Sequence, residues 1–267
     1  MLKIRLSMPV LAGVSAYLIS LTAYAQFADS IVSYTQGTGV NPSYAVPGNA
    51  LGAPTTFIGY QNADPFNPPY AAANLTEIGA GGSLTLEFNT PIQNNPGHAF
   101  GLDFIIFGHA GFTITNGDYS GGGITDGSLF TGGTASTRVS VSADGSTFYT
   151  LNPALAPNVD GLFPTDANGD WHVPVNPALR AGDFAGKDLT GIRALYAGSG
   201  GGAGYALSWA QNGTGQNVSL SEASFVRIDV LSGDAFVDAV SVVPEPGLMV
   251  FGGLAALLLL RAKPWRR

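Results

Sequence analysis

Between residues 26 and 243 the chain carries no long run of apolar residues at helical spacing. Short alternating or β-branched runs recur there instead, set between clusters of Gly, Asn and Asp. That pattern confines the fold to short strands joined by turns, because a half-buried strand shows one face every second residue, whereas a packed helix needs a stripe near period 3.6. Ser83 to Phe88 alternates, placing Leu84, Leu86 and Phe88 on one face. Phe100 to Phe107 (FGLDFIIF) is nearly continuous and reads as a central strand covered on both sides. Arg138 to Ser142 alternates again, and Ala143-Asp144-Gly145-Ser146 turns it into Thr147 to Leu151, since Gly supplies the positive φ of such a turn. Gly191 to Tyr196, Phe225 to Leu231 and Phe236 to Val243 read as further strands, and Leu179 to Leu189 holds a short helical turn at most. Gly (37) and Pro (17) make up about a fifth of the 267 residues, against an ordinary ~12%, which excludes helical bundles and coiled coils. The expected fold class is all-β, a single antiparallel β-sandwich over 26–243.

The two ends read as addresses. Lys3 and Arg5 precede an apolar run from Met8 to Leu21, and Ala23-Tyr24-Ala25 places small residues at −3 and −1 before Gln26. This is the order of a secretory signal peptide on 1–25, cleaved after Ala25, with an uncleaved anchor as the alternative. At the other end Pro244-Glu245-Pro246 is followed by Leu248 to Leu260, all Gly or apolar, and then by Arg261, Lys263, Arg266 and Arg267. A helix of those residues rises ~20 Å against a ~30 Å hydrocarbon layer, so it makes a short transmembrane segment. The basic flank and the interfacial Trp265 keep the C-terminus cytoplasmic and leave the body outside.

Pro-Glu-Pro, a short apolar helix and a terminal Arg cluster resemble the PEP-CTERM sorting signal of Gram-negative bacteria. The resemblance implies a tail on 244–267 that an exosortase processes during surface export. It makes Pro244, Glu245 and Pro246 the recognised motif and the inner membrane a transient station. An ordinary tail anchor behind a Pro-rich stalk is the alternative. The body, too, is similar to a group. The runs at 81–88, 103–107, 139–148, 204–210, 225–230 and 237–242 follow an order that resembles bacterial cell-surface PEP-CTERM proteins with discoidin or galactose-binding-like jelly rolls. Gly108-His109 stands where such proteins often carry Glu-Asn, and Ala206 where they often carry Asp.

With the two ends set aside, residues 26–243 keep five basic and 17 acidic residues, a net charge of −12. Such a body repels nucleic acid and anionic lipid and suits divalent cations. With no cysteine it must hold together by its core alone, even in an oxidising compartment. Nucleophilic catalysis has no support: no Gly-x-Ser-x-Gly elbow and no cysteine occur, and His98, His109 and His172 fit no zinc-binding spacing. A spatial pair of carboxylates, as in glycoside hydrolysis, is the one catalytic reading that sequence leaves open.

Two binding readings remain. Asp166, Asn168 and Asp170 alternate so that their oxygens can turn toward one centre, as Ca²⁺ requires, with Asp160 or Asp183 to complete the shell. The segment is not an EF-hand: Gly169 falls at the fourth position and Pro177 occupies the twelfth. A solvated Asx turn is the alternative. Trp171, Trp209, Tyr119, Tyr196 and Tyr205 lie in or beside loops. Trp171 and Tyr119 are the expected glycan contacts, and Trp209, alternating with Leu207, belongs to the core. The expected function is that of an exported, non-enzymatic surface or extracellular-matrix protein. Its expected partners are the Sec translocon, signal peptidase and an exosortase, with a carbohydrate-binding module containing structural calcium as the alternative.

Overall fold

The computed structural model describes residues 26–245, so the readings placed on Ala23, Ala25, Pro246, Arg261, Lys263, Arg266, Arg267 and the apolar C-terminal segment lie outside the described residues. Strand makes up 35% and helix 11% of the structure. In chain order the strands are β1 Ser30–Thr35, β2 Thr76–Gly79, β3 Ser83–Gln93, β4 Phe104–Phe107, β5 Gly111–Phe112, β6 Leu129–Thr131 and β7 Ser136–Ser142. They continue as β8 Tyr149–Leu151, β9 Ala203–Tyr205, β10 Ala210–Gln211, β11 Glu222–Ser232, β12 Asp234–Val237 and β13 Ala239–Val242. The helices are α1 Ala181–Phe184 and α2 Leu189–Tyr196. Every pairing between these strands is antiparallel and none closes a barrel.

The largest sheet has the order β1-β3-β11-β7-β8-β10. Three smaller sheets are β13-β4-β9, β12-β2 and β5-β6. One apolar cluster joins the six-stranded sheet to two of the smaller ones. Leu84, Leu86 and Phe88 of β3, Val139 and Val141 of β7 and Ile228 of β11 pack with Ile78 of β2, Phe104 and Ile106 of β4 and Val240 of β13. This is a sandwich-like arrangement with one shared core. β4 is buried on both faces, as its composition requires. Phe104 and Ile106 enter the main core, while Ile105 and Phe107 enter a smaller cluster with Ala239 and Val243. The 138–151 hairpin forms with Ser140 opposite Thr150 and Val141 opposite Tyr149. Gly145 sits at φ 70°, and the Asp144 carboxylate accepts from the Ser146 and Thr147 N–H groups.

The structure corrects three sequence readings. The strand expected over 100–107 begins only at Phe104, because Phe100 and Gly101 both adopt left-handed backbone in a 3₁₀ turn that leaves the Phe100 ring exposed. The strand expected at 191–196 is helix α2. The Asp188 side chain accepts from the Gly191 N–H and starts it, Ile192 and Tyr196 bury one face at i, i+4, and Ala197 closes it in left-handed backbone. Its β-branched residues mimic a strand, but the cap and the buried face decide otherwise. The last expected strand, 236–243, is broken at Asp238. That buried carboxyl accepts from the Thr55 N–H and hydroxyl rather than following the sheet.

A second apolar cluster, Phe66, Phe112, Val175, Phe184, Ile192 and Tyr196, packs α1, α2 and β5 beneath the long loops. It supports the cleft described next.

Candidate functional site

Two loops meet above this second cluster and enclose an open cleft of about 520 Å³. The first loop is built on Asp64. Its Oδ1 accepts from the Phe66 and Asn67 N–H groups at 2.8 and 3.0 Å, and its Oδ2 accepts from Gln61 Nε2 at 3.0 Å. Asp followed by Pro65 favours such an Asx turn, and the Asp64 and Asn67 backbones close it by exchanging hydrogen bonds. The second loop is built on Asn116 and Asp118. Asn116 Oδ1 accepts from the Ile124 N–H, and Asp118 Oδ1 accepts from the Ser120 N–H and hydroxyl at 2.9 and 2.6 Å. A Cβ at Gly122 would lie 2.2 Å from Asp118 Oδ2, so a side chain there would displace this carboxylate.

Phe66, Ile114 and Leu189 contribute the apolar lining, and Gln61, Asp64, Asn67, Asp118 and Ser120 contribute polar groups. Tyr60 and Tyr119 also line the cleft and are 65% and 80% exposed, a solvent-facing pair of large rings. The Tyr60 hydroxyl lies 3.4 Å from that of Tyr70, whose pKa is raised by burial and by this hydrogen bond, so Tyr70 remains a neutral phenol. The Ser120 hydrogen bonds lower the pKa of Asp118, which keeps its carboxylate ionised. Among the described residues, no Lys, Arg or His lines the cleft.

Of the expected glycan contacts, Tyr119 stands in this cleft and Trp171 does not. Trp171 is packed against the cluster of Ile105, Phe107, Ala239 and Val243, with its ring edge-on to Phe107 at 5.5 Å, and a Cβ at Gly200 would strike it at 2.4 Å. Tyr196 and Tyr205 are fully buried, with hydroxyls donating to the Pro164 and Pro157 carbonyls, and Trp209 packs on the main core as expected. Tyr60, Asp64, Asn67 and Asp118 were missed. The turn-forming run Asn62-Ala63-Asp64-Pro65 beside an aromatic was their one local signal.

The oxygens of the calcium reading have other partners in the structure. Asp166 is buried and meets Arg193 side-on, Oδ2 to Nε at 2.7 Å and Oδ1 to Nη2 at 2.9 Å. With its amide turned to satisfy its neighbours, Asn168 also accepts from Arg193. Asp170 turns away to His172, Asp160 is taken by His109 and the His109 and Ala110 N–H groups, and Asp183 accepts from the Arg180 N–H. A guanidinium therefore occupies the place where the cation was expected, and these oxygens do not share a centre. Among the described residues, no three His, Asp or Glu side chains gather as a metal-binding group.

All three histidines pair through Nδ1 with an aspartate: His98 with Asp103, His109 with Asp160 and His172 with Asp170. Among the described residues, no Ser or Thr hydroxyl is hydrogen-bonded to any of these rings. Asp103 is fully buried, which raises its pKa against the lowering effect of the Leu207 and Asn95 N–H groups. The His98 ring bound to it lies 3.5 Å, Nε2 to Oε1, from Glu245, whose other oxygen accepts from Asn95 Nδ2. The glutamate of the terminal motif is thus seated against the body, whereas Pro244 is exposed. Compared with known protein families and with individually characterised proteins, the chain matches neither a family model nor a relative.

Proposed function

We propose that this chain is an exported, non-enzymatic surface protein. In this reading its signal peptide is removed after Ala25 following Sec translocation, and its jelly-roll-like body is held for a time at the inner membrane. An exosortase then processes the tail at Pro244-Glu245-Pro246, and the product stays at the cell surface or in the extracellular matrix. One observation carries the reading: the chain passes from buried to exposed at the first residue of the motif. Among the described residues, the members of the three apolar clusters lie between Ala28 and Val243, and Val243 is buried with its N–H bonded to the Asp103 carbonyl. Pro244, the next residue, is exposed. Cleavage beyond Val243 therefore leaves these clusters of the described residues whole, and the absence of cysteine frees the body from any oxidation step on the way out.

Intact mass of the mature protein from its native host tests this. Expected is a species that starts at Gln26 and lacks Leu248–Arg267, replaced by an unprocessed species when Pro244 and Glu245 are both changed to Ala. A mature mass that retains the basic tail refutes the proposal. A second reading, a carbohydrate-binding module, is favoured by the Tyr60–Tyr119 cleft.

A further inference from the structure

We propose that the cleft between the 60–67 and 114–123 loops binds a neutral pyranose unit of a polysaccharide, with Tyr60 and Tyr119 as stacking platforms. This rests on the carbohydrate-binding reading and is independent of how the tail is processed. A pyranose presents a C–H face that packs on an aromatic ring and an equatorial fringe of hydroxyls that needs fixed, planar hydrogen-bond partners. The cleft offers both. Its volume of about 520 Å³ falls within the ordinary range for small-ligand sites. The two rings combine an apolar body with a polar tip, and burying them against a ligand recovers apolar area now left in water.

The polar groups are preorganised. Asp64 uses its oxygens to hold its own loop and so acts as a positioning residue. Asn67 and Gln61, fixed by it, line the cleft with their amide groups, and Asp118 is held ionised by Ser120. Charge narrows the class. Among the described residues, two carboxylates and no cation line the cleft, on a body of net charge −12, so uronate, sialate, phosphate and sulfate groups are repelled.

The test uses the full-length chain in a detergent without a sugar headgroup, titrated calorimetrically with cellobiose, maltose, lactose and chitobiose as neutral probes and tri-galacturonate as the anionic one. Expected is saturable binding of at least one neutral disaccharide and none of tri-galacturonate. Tyr119→Ala and Tyr60→Ala should each weaken binding by roughly tenfold or more, while Tyr119→Phe stays within about threefold of the native chain. Both tyrosines are largely exposed, so the variants should keep the native melting temperature. Three outcomes overturn the proposal: no neutral probe binds the folded chain, binding survives both alanine variants, or tri-galacturonate is preferred. Each leaves the processing reading untouched, since none measures the tail.

Discussion

Replacing Asp238 by Asn should abolish most of a pH dependence that one buried carboxyl imposes on stability. Asp238 sits between β12 and β13 with its oxygens 2.8 and 2.7 Å from the Thr55 N–H and hydroxyl, and burial pushes its pKa from the ordinary 3.8 up to about 7. The folded protein therefore holds this proton more tightly than the unfolded chain does. The stabilisation from Asp238 is complete below about pH 4, is lost progressively as pH rises to about 7, and changes no further above that. At ~1.4 kcal/mol per tenfold difference in proton affinity, the interval amounts to about 4 kcal/mol. Asn keeps the geometry, with its oxygen accepting from the Thr55 N–H and its amide donating to the hydroxyl, and carries no charge at any pH.

Denaturant unfolding followed by tryptophan fluorescence, on native and Asp238→Asn proteins from about pH 4 to about pH 8, isolates the effect. The variant should match or slightly trail the native protein at the acid end. It should exceed the native protein by up to about 4 kcal/mol at the alkaline end. Glu77 and Asp103, also raised by burial, push in the same direction, but they are present in both proteins and cancel in the difference. Parallel stability curves for the two proteins would refute the reasoning.

Two further changes test the reassigned residues. Arg193→Met strands the buried Asp166 carboxylate and should cost about 2–4 kcal/mol in urea unfolding. Chelator should leave the native melting temperature unchanged, because the guanidinium already neutralises the site where calcium was expected. Trp171→Ala should lower stability by about 2–4 kcal/mol by emptying the cluster around Phe107. It should leave saccharide binding at the cleft within about twofold of native, whereas a residue in the ligand site would show the opposite pattern.

The mostly-β character was legible because it is written in local alternation. Leu84, Leu86 and Phe88 face one way whatever strand lies beside them, and Asp144-Gly145 turns the hairpin by its own backbone chemistry. Tyr119 was legible as exposed because its glycine-rich surroundings offer it nothing to pack against. Helix α2 was not, since Thr190 and Ile192 favour a strand until the Asp188 cap and the buried Ile192–Tyr196 face are in place. The fate of the charges depended wholly on tertiary contacts. Asp166 meets Arg193 from 27 residues away, Asp160 meets His109 across 51, and Asp238 meets Thr55 across 183. The cleft joins loops whose anchors, Asp64 and Asp118, are far apart in the chain. Apolar periodicity is a property of neighbours in sequence, so the chain by itself determined which faces turn inward. What a carboxylate pairs with, and which two loops share a hollow, depends on the separations that long-range strand pairing sets, and only the folded structure fixes those.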